Sequence, residues 1–294
     1  MITKEAKRQL AAQLQAVYDQ REALNISDLV MESLIGKKKT ERTVNQESQL
    51  SVEQTMQLKI ITDRLLQHEP VQYVLNEAWF YNLKFTVDKN VLIPRPETEE
   101  LVEWILLSIS NRQWAIDKNI KILDVGTGSG CIPIALRKNL SSEFEVWACD
   151  INDQVLTVAR KNADDLKALV DFVAMDFLDA AQRNQLPHVD IIVSNPPYVP
   201  LRDKGQMKEN ITRYEPEIAL FVPDDDPLIF YKSIADFGKE KLHENGQIFV
   251  EIHESLGSRV VELFRSKKYS IVELKRDMQG KDRMVKAGGM TNEK

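Results

Sequence analysis

The tetrapeptide Asn195-Pro196-Pro197-Tyr198 combines an amide, two rings that lack a backbone N–H and an aromatic face. It follows residues 189–194, an apolar run that reads as a buried strand. Consecutive prolines cannot extend a sheet, so the chain must leave the strand through a stiff, kinked exit. Open α/β sheets place their ligands at such carboxyl ends. The exit presents the Asn195 amide oxygen, rigidly aimed carbonyls such as that of Pro196, and the Tyr198 ring. Two acceptors can take both hydrogens of a planar –NH2 group while the ring stacks on its plane. The plainer alternative is a proline-rich loop in which Asn and Tyr fall by chance.

Residues 121–125 form a second buried run and feed directly into Gly126-Thr127-Gly128-Ser129-Gly130. A helical stretch over 131–138 follows, with its proline in the first turn, where proline is tolerated. Strand, glycine turn and helix is the layout of a nucleotide-type site, because missing Cβ atoms let the backbone approach a ligand closely. The spacing G-x-G-x-G differs from the G-x-G-x-x-G of dinucleotide binders, which disfavours a dehydrogenase. It also lacks the G-x-x-x-x-G-K-[ST] form, which disfavours ATP or GTP.

Both loops need a frame. Residues 145–150 read as a strand ending in Asp150, at about the spacing expected of an acid that binds ribose hydroxyls. Asp153 is the competing acid, and Asp124 either meets the cofactor or braces the glycine turn. A helix over 154–167 leads to a strand over 170–175, which ends at Asp176-Phe177. After the strand ending at Ser194 come a helix over 227–242, a strand over 247–252, a helix over 255–267, and strand-like runs at 270–275 and 282–286. The alternation predicts an α/β fold with a doubly wound sheet. The short final link allows only an antiparallel hairpin. The glycine turn and the tetrapeptide then lie side by side at the switch point of the sheet.

Before residue 77 the pattern is helical. Leu10, Leu14, Val17 and Tyr18 make one helix face, and Ser27 is read as capping a short helix through Leu34 with Gly36 after its end. Ser51-Val52-Glu53-Gln54 is a capping box that opens a further helix through Leu66. Polar residues 37–49 are the intervening loop. Trp79-Phe80-Tyr81 and the alternating Leu83, Phe85 and Val87 predict a joining β-hairpin.

Taken together, the glycine turn, Asp150, Asp176-Phe177 and the Asn-Pro-Pro-Tyr loop resemble the S-adenosylmethionine-dependent methyltransferases that modify exocyclic or amide nitrogens. Residues Leu92-Ile93-Pro94-Arg95-Pro96-Glu97-Thr98-Glu99-Glu100-Leu101 narrow this, with Pro70-Val71-Gln72-Tyr73-Val74-Leu75 upstream and Arg213-Tyr214-Glu215-Pro216 downstream. Over nearly its whole length the chain is similar to the HemK/PrmC family of protein-(glutamine-N5) methyltransferases. One departure is Asn76, where glycine is expected after Tyr-Val-Leu.

The resemblance implies a Rossmann-like class I methyltransferase sheet with a carboxyl-terminal hairpin and a small all-helical amino-terminal domain. The expected boundaries are 1–75 for the helical, substrate-binding domain, 76–94 for the hairpin connection and 95–294 for the S-adenosylmethionine-dependent domain. It implies methyl transfer to the glutamine of the Gly-Gly-Gln loop of peptide chain release factors, which the amino-terminal helices would hold while that loop enters the pocket between the domains. Gly126, Thr127, Gly128, Ser129, Gly130, Asp150, Phe177 and Asn195 are then the cofactor-binding residues, Phe177 being a wall against adenine rather than core alone. Asn195, Pro196, Pro197 and Tyr198 hold the substrate amide, and Asn195, Pro196 and Tyr198 act in catalysis. No metal is expected. Glutamine methylation of a ribosomal protein, and N-methylation of adenine or guanine in DNA or rRNA, are the alternatives. A non-catalytic nucleotide-binding module is a third, disfavoured by two intact loops.

Composition agrees. The chain has 294 residues, 43% of them apolar, enough for one large core or two smaller ones. Its 39 basic and 45 acidic side chains give a net charge of −6, which argues against direct nucleic-acid binding. The runs Lys37-Lys38-Lys39 and Lys267-Lys268 are read as solvated loop charge. No apolar segment is long enough for a membrane span and the charged start is no signal peptide, so a cytoplasmic location is the default. Cys131 and Cys149 are expected as free core thiols. His68, His188, His243 and His253 lack metal-ligand spacing, and Asp224-Asp225-Asp226 reads as a solvated turn. Glu97 and Glu99 are read first as a favourable charged helix start and only secondarily as lining the site.

Overall fold

The computed structural model describes residues 1–36, 48–111 and 119–290. The Lys37-Lys38-Lys39 run and most of the expected polar loop lie outside the described residues. The chain divides into two compact units, residues 1–77 with 209–214, and residues 78–208 with 215–294.

The first unit is helical: α1 (Thr3–Leu14), α2 (Gln20–Ile35), α3 (Val52–Leu65) and α4 (Val71–Leu75). Leu10, Leu14, Ile26, Val30, Leu58 and Leu65 meet in its core. The helix start expected at Ser27 is wrong. Asp19 caps α2 instead, its carboxylate accepting the Glu22 N–H at 2.9 Å. Ser27 is buried in mid-helix, where its hydroxyl donates to the Ala23 carbonyl one turn back. The Ser51/Gln54 capping box is present, and Gly36 ends α2 with φ +70°. α1 stops at Leu14, so Val17 and Tyr18 lie beyond it; Tyr18 still packs on the core and donates to the Leu65 carbonyl. Asn76 takes the left-handed conformation (φ 55°, ψ 33°) that glycine would supply, and asparagine tolerates it better than most residues. A short helix, Glu209–Tyr214, belongs to this unit, with the Tyr214 hydroxyl donating to the Gln67 carbonyl.

The boundary at residue 77 falls on the first residue of the hairpin β1 (Glu77–Phe80) and β2 (Leu83–Thr86), turned by Tyr81 and Asn82, both at positive φ. Next come α5 (Pro96–Ser110), β3 (Ile120–Val125), α6 (Cys131–Asn139), β4 (Phe144–Asp150), α7 (Asp153–Leu166), β5 (Asp171–Ala174) and β6 (Val189–Ser194). Two short strands, β7 (Val199–Pro200) and β8 (Phe221–Val222), pair with each other. The order closes with α8 (Ile229–Lys241), β9 (Leu242–Glu251), α9 (Gly257–Ser266), β10 (Tyr269–Arg276) and β11 (Asp282–Met290).

The main sheet has seven strands in the order β10-β11-β9-β6-β3-β4-β5. β9, β6, β3, β4 and β5 run parallel, and β11 is antiparallel to both β9 and β10, as the short final link requires. All six β6 residues are buried because side chains pack on both faces of a parallel sheet. β9 begins at Leu242, earlier than the strand expected at 247, and its pairing with β6 shifts register near Val189. Gly246 permits this: a Cβ there would lie 2.9 Å from the Asp190 carbonyl. The strand order reverses between β3 and β6, where the Ser194 hydroxyl donates to the Val125 carbonyl at 2.7 Å. That bond fixes the two strand ends, and so the two loops they carry.

Candidate active site

The glycine turn hooks back onto the end of β4. Gly126 and Thr127 N–H groups both donate to the Cys149 carbonyl, at 2.9 and 3.0 Å. Gly126, Gly128 and Gly130 have φ of +73°, +55° and +80°, a conformation that L side chains avoid. A Cβ on Gly126 or Gly128 would meet nothing within 4 Å, so those two leave room for a ligand. At Gly130 it would sit 3.0 Å from Ile134 and 3.3 Å from Ala159, so this glycine serves helix packing. Asn162, buried on α7, donates to the carbonyls of Ser129 and Thr86 and ties the turn to the hairpin. Sequence reasoning gave it no role, although a polar residue among apolar helix positions was the available signal.

Asp150 braces the turn by accepting the Gly128 N–H at 3.1 Å, and it lines the adjacent cavity. Burial raises its pKa, against the pull of the Gly128 and Asn152 N–H groups. Its competitor Asp153 is not on that wall; it opens α7. Phe177 is both wall and core, lining the cavity while its ring packs edge-on against Phe237 at 5.3 Å. Asp124 is fully buried, and neither carboxylate oxygen has a hydrogen-bond partner; the hydroxyls of Thr127 and Ser129 are buried and unpaired as well. Burial pushes the Asp124 pKa up to about 7. The nearby Thr127 hydroxyl opposes the rise without reaching hydrogen-bond geometry, and the Asp150 charge adds to it. A buried acid flanked by unpaired hydroxyls lacks a cationic, hydrogen-bond-donating partner. Asp124 itself does not line the cavity, whereas Thr127, Ser129 and Asp150 do, and ribose hydroxyls fit Asp150.

The tetrapeptide borders the same space. Asn195, Pro196 and Pro197 line, with residues 126–129, one cavity of about 250 Å³. The Asn195 amide donates through Nδ2 to the Thr98 Oγ1 at 3.1 Å. Thr98, on the first turn of α5, donates its own hydrogen to Glu251 Oε2 at 2.7 Å. Among the described residues neither Asn195 Oδ1 nor the Pro196 carbonyl has a hydrogen-bond partner. Tyr198 is not on the cavity wall. Its hydroxyl points at Glu251 Oε1 at 3.4 Å, and its ring lies 5.9 Å from that of His253. Burial and the Glu251 charge push its phenol up, so it stays a neutral donor.

Thr98 and Glu251 are the functional neighbours that sequence reasoning missed. The available signal at Glu251 was a carboxylate ending the apolar run Ile248-Phe249-Val250, a costly placement unless the charge is used. Two more partners fix the wall. Arg95 lines the cavity and pairs with buried Glu215 at 2.6 Å, and Glu215 also accepts the Ile93 N–H. Glu99 accepts the Tyr81 N–H, and neither it nor Glu97 lines the cavity. Cys131 and Cys149 are free and buried, and burial raises the Cys131 thiol to about 12. In the acidic turn, Asp224 accepts the Arg202 N–H and Asp226 pairs with Lys232. Lys267 is not merely a solvated charge, since it pairs with Asp236 at 2.5 Å.

Known proteins resemble this chain in sequence and fold. Residues 105–214 fit the family model described as methyltransferase small domain, and residues 5–75 fit the PrmC N-terminal domain. The release factor glutamine methyltransferase of Flavobacterium psychrophilum is 39% identical over 286 residues, covering 97% of this chain and 99% of that protein. The protein of the same name from Bacteroides thetaiotaomicron is 39% identical over 274 residues, covering 93% and 95%. Among solved structures, the human methyltransferase 10 domain containing protein aligns with a TM-score of 0.51 at 18% identity, over 72% of this chain and 91% of that one. The hMettl16 catalytic domain, in complex with a 3′UTR hairpin, reaches 0.53 at 16% identity, over 84% and 86%. These two likenesses concern the fold alone, a Rossmann-like class I methyltransferase sheet. The domain and the fold imply a methyl donor of the S-adenosylmethionine type. No helix among the described residues is long and apolar enough to cross a membrane. By its identity to relatives matched over nearly their full length, the chain belongs to the release factor glutamine methyltransferase family.

Proposed function

We propose that the protein methylates the side-chain nitrogen N5 of the glutamine in the Gly-Gly-Gln loop of peptide chain release factors, with S-adenosylmethionine as donor. One observation carries the reading: Asn195 and Pro196, whose Oδ1 and carbonyl oxygens have no hydrogen-bond partner among the described residues, line the same cavity as the open glycine turn. When bound, S-adenosylmethionine supplies an activated methyl group on a sulfonium. Gly126, Gly128, Asp150 and Phe177, which line the cavity, would hold it.

An amide nitrogen is a poor nucleophile because its lone pair is delocalised into the carbonyl. Positive charge builds on that nitrogen as its new bond forms, before a proton leaves. Acceptors fixed in advance around the –NH2 therefore stabilise the transition state more than the ground state. Asn195 and Pro196 fill that role, and proline rigidity keeps the carbonyl aimed. No strong base is needed, since the charged nitrogen is acidic enough to lose its proton to water or a carbonyl. Tyr198 is assigned the aromatic face toward the incoming side chain, worth about 0.5–2 kcal/mol as charge builds. That role needs its ring to come to the cavity. The helices of residues 1–75 are assigned to holding the release factor.

Incubating the protein and labelled donor in parallel with release factors, ribosomal subunits and DNA tests this, with mass spectrometry locating the label. A single methyl on the release-factor glutamine is expected. Label confined to a ribosomal protein or to a base would replace the reading.

A further inference from the structure

We propose that Thr98 and Glu251 are positioning residues that decide which end of the Asn195 amide faces the cavity, and that the charge on Glu251 sets the direction. The proposal rests on the amide-methylating function above. The two ends of an asparagine amide are nearly the same size, so only hydrogen bonds choose between them.

Thr98 stands between Asn195 at 3.1 Å and Glu251 at 2.7 Å, with a single hydroxyl hydrogen to give. A carboxylate can only accept, so that hydrogen goes to Glu251. The Thr98 oxygen is then left as an acceptor, and Asn195 must turn its –NH2 toward it. The amide oxygen is thereby directed to the cavity, where a substrate –NH2 needs an acceptor. A neutral Glu251 permits the reverse chain: its proton goes to Thr98, the Thr98 hydrogen goes to the Asn195 oxygen, and Asn195 presents –NH2 to the cavity. Two donors would then face each other, and the transition-state charge would lose one of its acceptors.

Several groups bias Glu251. Thr98 and Glu97 face it from α5, Tyr198 from the tetrapeptide and Arg283 from β11, while the Tyr231 hydroxyl on α8 bonds its backbone carbonyl. Burial raises its pKa to about 7; Thr98, Arg283 and Tyr198 pull it down, and Glu97 pushes it up. Arg283 is itself held by Asp277 at 3.1 Å. The relay is thus poised to change direction near neutrality.

The test compares wild type, Thr98→Val and Thr98→Ser in steady-state transfer to a release factor between pH 5.5 and 8.5, with donor affinity measured separately. Thr98→Val is expected to lower kcat on the order of tenfold or more, by analogy with removing one fixed transition-state contact, with donor affinity unchanged within about twofold. Thr98→Ser restores the hydroxyl and recovers most of the loss. The wild-type-to-Val ratio of kcat rises with pH through about 7, because only the wild type carries the Glu251-controlled limb. Asp124, also raised to about 7, titrates in both proteins and cancels in that ratio. A merely structural defect would lower kcat by one factor at every pH. An active wild type matched in rate by Thr98→Val, or a ratio that does not change with pH, overturns the relay alone. A wild type that leaves release-factor glutamine unmodified overturns the functional reading and the relay with it.

Discussion

Replacing Asp124 by asparagine isolates the stability effect of this buried acid. The Asp124 carboxyl is fully buried without a hydrogen-bond partner, and burial lifts its pKa from 3.8 to about 7. Below 3.8 the folded and unfolded chains both carry the proton. Between 3.8 and about 7 only the folded chain keeps it, so stability falls as pH rises; above about 7 both are ionised and the loss is complete. At about 1.4 kcal/mol per pH unit the full effect is about 4 kcal/mol, of which about 3 kcal/mol falls above pH 5. Urea unfolding of the donor-free protein at pH 5 and pH 8 is the assay. Wild type should lose about 3 kcal/mol more than Asp124→Asn over that range. Glu251, also raised to about 7, contributes the same slope to both proteins and drops out. Equal pH slopes of stability in the two proteins would refute the reasoning.

Glu215→Ala should destabilise the protein by about 2 kcal/mol in chemical denaturation, since it strips Arg95 and the Ile93 N–H of a buried acceptor. That is below the full value for a buried pair because the Arg95 side chain keeps 30% of its exposure. Gly130→Ala should lower stability by about 1–3 kcal/mol, a drop of several degrees in Tm, because φ +80° and contacts of 3.0–3.3 Å with Ile134 and Ala159 both resist a Cβ.

The parts of the site read directly from sequence are those written in backbone chemistry. β3 and β6 are apolar runs stopped by glycine at 126 and by proline at 196, and both ends lie within a residue of expectation. Their neighbourhood followed from topology alone, because strands alternating with helices leave few places for a switch point. What stayed hidden was pairing across the chain. Thr98 meets Asn195 from 97 residues away and Glu251 from 153, and no local pattern records such contacts. The Ser27 error has a local cause, since the apolar positions Ala23, Ile26 and Val30 begin before that serine and demand an earlier cap. Asp150, the ribose candidate, also braces the turn, and Asp124, which the sequence left open between cofactor contact and brace, has no hydrogen-bond partner.

The most direct measurement is single-turnover methyl transfer by Asn195→Ala to a release factor, at saturating donor and with unfolding monitored in parallel. Loss of the amide oxygen should slow transfer on the order of a hundredfold or more while the protein stays folded. Wild-type transfer from a folded Asn195→Ala protein would contradict the claim that these acceptors hold the glutamine amide for attack.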